Sequence, residues 1–334
     1  MVTQKEIAQI LGVSRTTVAR AINGKGYVKK ETKEKILQMV AEKKYQKNFF
    51  GSSLSSKKKK VFSFMVSSKN AYYTEQIIAG VRDARDEYKY SNIELHEIIT
   101  DINLADKQIE KLKEILEVEE QIDGIIIIPL DREKVYEILK PHLKKIKVVS
   151  LGIKLNKSIS HVGPDYTNQG RIAAGILSKI LNKGEKVLVL DNGDDNISSK
   201  YYLKGFLNHI KSYGFEVLGP FKTMGIKASL AFLNEIEKEK EKEFSAIYIN
   251  RYAQDILKKM PVERIKNKKI VTNGMGKRIR ELIESGIVAA TVTEDIYQTG
   301  YTAGQMIFDI LCKNVKEIKD IVSEAKIYFL ENLK

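Results

Sequence analysis

QKEIAQILGVSRTTVARAIN, Gln4 to Asn23, decides how the N-terminal part of this 334-residue chain folds. Two short helical stretches flank a turn, and a helix-turn-helix brings two such helices together at a steep angle. Where the helices touch, the side chain must be small, and Ala8 stands there. The turn needs a residue that tolerates positive φ, and Gly12 supplies it. Ile7, Leu11, Val13, Val18 and Ala21 are spaced to pin the two helices together, and Ser14 is placed to cap the second. That register leaves Arg15, Thr16, Thr17 and Arg20 on the outer face, near the start of the second helix, where a recognition helix meets base edges.

Side-chain chemistry sorts these groups. Arg15 and Arg20 carry the planar fork that pairs with guanine, and Thr16 suits a thymine methyl or a base edge. Thr17, Asn23, Lys25 and Tyr27 suit phosphates, which fix register and not sequence. A third helix, from about Glu31 to Lys44, is expected to close a small all-α domain over residues 1–46 with Ile36, Met39, Val40 and Tyr45.

Charge points the same way. The net formal charge is +14, and residues 1–60 hold 15 Lys/Arg against 4 Asp/Glu, so most of the excess sits in the head. A basic head on a nearly neutral body is the electrostatic footprint of nucleic-acid binding. The single cysteine, Cys312, excludes a disulfide framework and suits a reducing cytosol. No secretory signal is read at the N-terminus, and no apolar run approaches the ~18 residues of a membrane helix. A cytoplasmic location is therefore expected.

Residues 47–60, KNFFGSSLSSKKKK, break the composition and read as a linker. From residue 61 to 334 short apolar runs alternate with amphipathic helical stretches: VFSFMV (61–66), IELHEII (93–99), GIIIIPL (124–130) and KVVSLGI (147–153) in one series. KVLVLD (186–191), FEVLG (215–219), SAIYIN (245–250), KKIVTN (268–273), IVAATVT (287–293) and AKIYFL (325–330) form a second. Strands separated by helices of ten or more residues imply parallel sheets covered on both faces. About a dozen strands exceed one ordinary sheet, so two doubly wound α/β lobes are expected. Such a body alone suits a transport-type sugar-binding protein, an enzyme or a sensor, with ligand held between the lobes.

The head, VTQKEIAQILGVSRTTVARAINGKGYVKKETKEKILQMV, resembles that of the LacI/GalR family of bacterial regulators, and the resemblance extends over essentially the whole chain. It implies a periplasmic-binding-protein-like sensor, with an N-lobe of about 61–161 and 291–319 and a C-lobe of about 163–288 and 322–334. The chain would cross near 161–163, 287–291 and 319–322. It further implies a homodimer reading a near-palindromic operator in double-stranded DNA, controlled by a small effector, a sugar or sugar derivative. Family tetramers use an added C-terminal coiled coil. The chain stops just after its last expected strand, so a dimer is expected. Leu54 falls on the hinge leucine that such regulators lever into the minor groove. The hinge departs from the family pattern: Lys47-Asn48 stands for proline-asparagine and Gly51-Ser52 for alanine-arginine. Gly51 costs a helix about 0.5–1 kcal/mol relative to alanine. The hinge is expected to fold less readily, or to lean on Lys57–Lys60 for electrostatic hold.

In the cleft the resemblance points to Tyr72 and Tyr73 as ring-stacking groups and to Asp165 as an effector carboxylate; Asn250 and Asn273, which end strands on the ligand side, and Glu294 are added by position. Tyr202 stands where the family carries an arginine, and Glu294 where it carries a glutamine. Losing a guanidinium and gaining a carboxylate disfavours anionic effectors and favours a neutral or cationic polyhydroxy ligand. His96, His142, His161 and His209 lack metal-ligand spacing, and no P-loop, nucleophile elbow or dinucleotide fingerprint occurs. No metal, cofactor, membrane partner or catalytic activity is expected. His161 reads as a packed structural residue.

Overall fold

The computed structural model describes residues 3–23, 26–43, 58–68, 70–193, 196–238, 243–250, 253–313, 315 and 319–333. The chain divides into two compact units, Met1–Lys58 with Tyr90–Asn92 and Lys59–Lys89 with Ile93–Lys334. Leu54, Lys25, Tyr45 and the departing hinge residues lie outside the described set.

In the head, α1 (Gln4–Ile10), α2 (Arg15–Asn23) and α3 (Lys30–Glu42) enclose Ile7, Ala8, Val18, Ala21 and Ile36. Leu11, Val13, Met39 and Val40 pack around them. Gly12 makes the turn at φ 62°, as its position requires. The start of α1 holds a capping box between Thr3 and Glu6. Thr3 Oγ1 accepts from Glu6 N at 3.2 Å, and Thr3 N donates to Glu6 Oε2 at 2.7 Å.

In the body, twelve strands among the described residues form two six-stranded sheets. The N-lobe sheet contains β1 (Lys59–Ser67), β2 (Ile93–Asp101), β3 (Gly124–Ile127), β4 (Lys147–Leu151), β5 (Ser160–Pro164) and β11 (Asp320–Ser323), in the order β11-β5-β4-β3-β1-β2, all parallel. The C-lobe sheet contains β6 (Lys186–Asp191), β7 (Glu216–Lys222), β8 (Ala246–Ile249), β9 (Lys269–Asn273), β10 (Ala290–Glu294) and β12 (Ala325–Tyr328), in the order β12-β10-β9-β8-β6-β7. Only β12 runs antiparallel to its neighbour. Val61–Val66 of β1 are all buried, as a central strand with helices on both faces demands.

The lobes exchange chain later than expected. β5 runs to Pro164, β10 stays in the C-lobe to Glu294, and β11 belongs to the N-lobe, so the crossings lie at residues 165, 295 and 324 instead of 161–163, 287–291 and 319–322. The reason is that β5 and β11 are short. SHVGP and DIVS carry too little apolar alternation to be read as strands, yet they pair with each other, with Ile321 opposite Val162.

Two helix pairs frame the cleft, and each closes on glycines. α4 (Ala71–Glu87) packs on α12 (Ile296–Lys313), and α7 (Tyr166–Ile180) packs on α8 (Ile197–Ser212). A Cβ on Gly80 would strike the Tyr297 carbonyl oxygen and one on Gly300 that of Ile77. One on Gly170 would strike the Tyr202 carbonyl oxygen and one on Gly205 that of Thr167. The repeat is visible in the sequence: Asp165 and Asp295 each precede a glycine by five residues and an alanine by eight, in DYTNQGRIA and DIYQTGYTA. Each aspartate caps its helix, accepting from Asn168 N and Gln298 N at 2.9 Å.

His161, on β5, is buried with Nδ1 3.1 Å from both the Ser150 carbonyl oxygen and Ser150 Oγ. Burial holds its pKa below the usual 6.5; the Ser150 carbonyl and Asp320 oppose that shift, and Lys154 adds to it. Between that depressed value and 6.5 the unfolded chain binds the extra proton. Stability is thus fully present above pH 6.5 and is lost as pH falls below it. We expect melting temperature to drop between pH 6.5 and 5 in the wild type and to drop less in His161→Gln. Equal slopes would assign the acid sensitivity to other groups.

Candidate nucleic-acid interface and ligand cleft

On the head, Ser14 caps α2: its Oγ accepts from Thr17 N at 3.0 Å and lies 2.8 Å from Thr17 Oγ1. The cap fixes the first turn of α2 and ties down Thr17. Arg15, Thr16 and Arg20 are exposed beside it, and Tyr27 is 85% exposed. Among the described residues no salt bridge or side-chain hydrogen bond engages any of these four groups. The backbone of Asn23 ends α2.

The lysines at the start of the body behave differently from expectation. Lys59 and Lys60 belong to β1. Lys60 Nζ pairs with Glu119 at 2.8 Å, and its backbone N–H donates to Asp123 Oδ2 at 2.9 Å. The Glu119 pairing raises the Lys60 pKa, helped by Glu94 and Glu120. Lys60 is engaged by an acidic rim, which removes it from the cations expected to hold DNA. Lys60→Gln is expected to leave the salt dependence of DNA binding unchanged, and a flattened slope would restore it to the interface.

The cleft residues fall into two groups. Tyr202, 2% exposed, donates from its hydroxyl to Gln169 Oε1 at 2.8 Å and meets Tyr166 edge-on at 5.1 Å. Asn250, fully buried at the end of β8, donates through Nδ2 to Asp191 Oδ1 at 2.5 Å and to the Ser199 carbonyl at 3.1 Å. Asp191, Gln169, Ser199, Tyr202 and Asn250 thus form one polar cluster at the carboxyl end of the C-lobe sheet. Asn273 stands apart. Its Oδ1 accepts from the Tyr248 hydroxyl and its Nδ2 donates to the Val292 carbonyl at 3.2 Å. Tyr248 itself stacks on Phe206 at 3.6 Å, so Asn273 serves the core. Glu294 is buried at the end of β10, with Thr293 Oγ1 donating to it at 3.3 Å.

Tyr72 and Tyr73 do not share a face, because successive helix residues diverge by about 100°. Tyr73 is buried, its hydroxyl near Gly152 and close to that of Tyr166. Tyr72 is half-buried; burial raises its pKa, with Tyr328, Arg280 and Asp295 near enough to act on it. Asp165 spends one oxygen on the α7 cap and remains exposed. Across the cleft, Asn70 Nδ2 donates to the Met275 carbonyl at 2.7 Å. That contact needs Gly276, since a Cβ there would meet the Asn70 amide. Sequence reading missed this clasp, as it missed Gln169 and Ser199, because all three depend on pairings more than 30 residues apart.

Among the described residues no group of His, Cys, Asp or Glu is arranged to hold a metal ion, and no helix is long and apolar enough to cross a membrane. Residues 62–314 match the family described as periplasmic binding protein domain, and residues 3–48 match bacterial regulatory proteins, lacI family. The chain belongs to the periplasmic-binding-protein domain family, with a lacI-family head. It is similar to the transcriptional regulator AscG of Escherichia coli (24% identity over 221 residues, 64% of this chain and 62% of that protein). It is also similar to catabolite control protein A of Staphylococcus aureus (30% over 196 residues, 58% and 56%). The match therefore spans less than two thirds of either regulator's length. Its body shares the fold of GanP, a glucose-galactose binding protein from Geobacillus stearothermophilus, at TM-score 0.69 and 19% identity, covering 83% of this chain and 99% of that one.

Proposed function

We propose that the protein is a DNA-binding transcription regulator, a repressor whose operator affinity is set by a small neutral sugar or polyol held between the lobes. One observation carries the reading: a capped recognition helix presenting Arg15, Thr16 and Arg20 uncommitted, joined to a two-lobed ligand-binding fold. The relatives' names supply the regulatory class, and GanP's title supplies sugars as the ligand class. Cleft chemistry favours a neutral ligand: Tyr202 brings no positive charge where the family pattern has arginine, and Asp191 and Glu294 bring carboxylates. The chain works as a cytoplasmic homodimer on a near-palindrome, two heads facing two half-sites. Ligand shifts the equilibrium between lobe arrangements only in proportion to its preference for one of them.

A transport-type binding protein shares the body but has no use for the basic head. The deciding experiment is gel retardation of the gene's own upstream DNA, repeated across a salt series. An inverted repeat retarded far below the concentration needed for random DNA supports the reading, with a log–log salt slope of about −0.9 per phosphate neutralised. Equal affinity for repeat and random DNA sinks it.

A further inference from the structure

Among the described residues, three buried polar atoms of the C-lobe cluster have no hydrogen-bond partner: Gln169 Nε2, Ser199 Oγ and Asn250 Oδ1. Their residues are 1%, 2% and 0% exposed. An orphaned buried polar group is costly, and native structures keep few of them without a purpose. Here three lie on one connected path. Gln169 accepts from Tyr202, Tyr202 and Ser199 are one turn apart on α8, and Asn250 donates to the Ser199 carbonyl. The path lies at the carboxyl end of β6 and β8, where α/β sheets bind ligands, and beneath Tyr166, whose hydroxyl reaches Gly152 of the other lobe.

We propose that Gln169 and Ser199, with Asn250, form the specificity-determining subsite of the cleft, taking adjacent hydroxyls of a neutral polyhydroxy ligand. This rests on the reading of the body as a sugar sensor. The donor and acceptor inventory matches such a ligand: the amide N–H of Gln169 donates to one hydroxyl oxygen, Asn250 Oδ1 accepts from the next hydroxyl, and Ser199 Oγ serves as either. The Asp191 carboxylate, 2.5 Å from Asn250 Nδ2, excludes a phosphate or carboxylate from the same place. Tyr202 acts through Gln169. By holding the amide oxygen it leaves the amide nitrogen as the unpaired end, a neutral donor beside the position where the family pattern carries a guanidinium.

Two variants separate this role from a structural one. Ser199→Ala deletes one orphan, and the pair Gln169→Leu/Tyr202→Phe deletes another together with both sides of the bond that holds it. Replacing both partners of a buried hydrogen bond by apolar groups of similar shape is nearly neutral for stability. The full chain is titrated calorimetrically with D-glucose, D-galactose, D-ribose and D-arabinose and melted without sugar. We expect at least one sugar to bind the wild type, each variant to weaken it fivefold or more, and the sugar-free melting temperature to hold or rise. Tyr202→Phe alone is expected to change affinity less than the pair does. Unchanged affinity with a lowered melting temperature makes the cluster structural and overturns this proposal alone. A sugar phosphate binding more tightly than its parent sugar overturns the neutral class. No binding of any of the four sugars by the wild type overturns the sugar reading itself, and this subsite with it.

Discussion

Gly205→Ala is expected to destabilise the protein by about 3 kcal/mol or more, the upper end of what overpacking costs. The added methyl has nowhere to go. Its Cβ would fall on the Thr167 carbonyl oxygen, 2.8 Å from the carbonyl carbon and 3.0 Å from the Thr167 Cα. Those are backbone atoms, so no rotamer change relieves the clash, and α7 and α8 must move apart. The separation would lift Phe206, the next residue, off its 3.6 Å stack on Tyr248. It would also displace the α8 N-terminus, where Ser199 and Asn196 sit, from the cleft. Gly175→Ala is the matched control in α7. No atom lies within 4 Å of its Cβ, and the better helix former is expected to add about 0.5–1 kcal/mol. Urea melts of the two variants decide the matter. A Gly205→Ala midpoint within error of the wild type would mean that the helix pair yields without cost, and the clasp account would fail.

Those glycines mark the limit of what could be read from the chain alone. The apolar runs announced the central strands well: KVLVLD coincides with β6, and KKIVTN with β9 apart from its first residue. The head was legible in full register because Gly12, Ala8 and Ser14 each answer a local geometric demand. The lobe crossings were not legible, since β11 is a strand only through its pairing with β5, more than 150 residues away, and short β5 is held between β11 and β4. The cleft was the least legible part. By sequence Tyr202 stands in the place of a ligand-gripping arginine. The structure spends its hydroxyl on Gln169, a residue whose relevance no local pattern signals. Asn273 ends a strand on the ligand side, yet its amide oxygen and nitrogen each already hold a core partner, Tyr248 and Val292. Position along a strand tells which end a residue occupies. It does not tell which of its hydrogen bonds are already committed.

Arg20→Ala is expected to weaken operator binding by about 1–3 kcal/mol per half-site, roughly five- to 150-fold, and to relax preference at one base-pair position in each. The side chain is exposed on α2, and no salt bridge to it occurs among the described residues. It is nonetheless supported. The space beside Gly26 is filled by the Arg20 stem, so that a Cβ there would lie 3.2 Å from Arg20 Cδ and 3.3 Å from Nε. Gly26 itself takes φ 81°, a conformation that side-chain-bearing residues rarely adopt. A fork propped in this way loses less rotamer freedom on meeting a guanine than a free one does, which is why Arg20→Lys is not expected to restore binding. Lysine keeps the charge and so most of the salt dependence, but it cannot make the paired contact to O6 and N7. Binding measured against a set of operators mutated one base pair at a time gives the test. A loss confined to one position, shared by the alanine and lysine variants, makes Arg20 a base reader. A uniform loss across all sequences, repaired by lysine, makes it a phosphate anchor and moves the reading of sequence to Arg15 and Thr16.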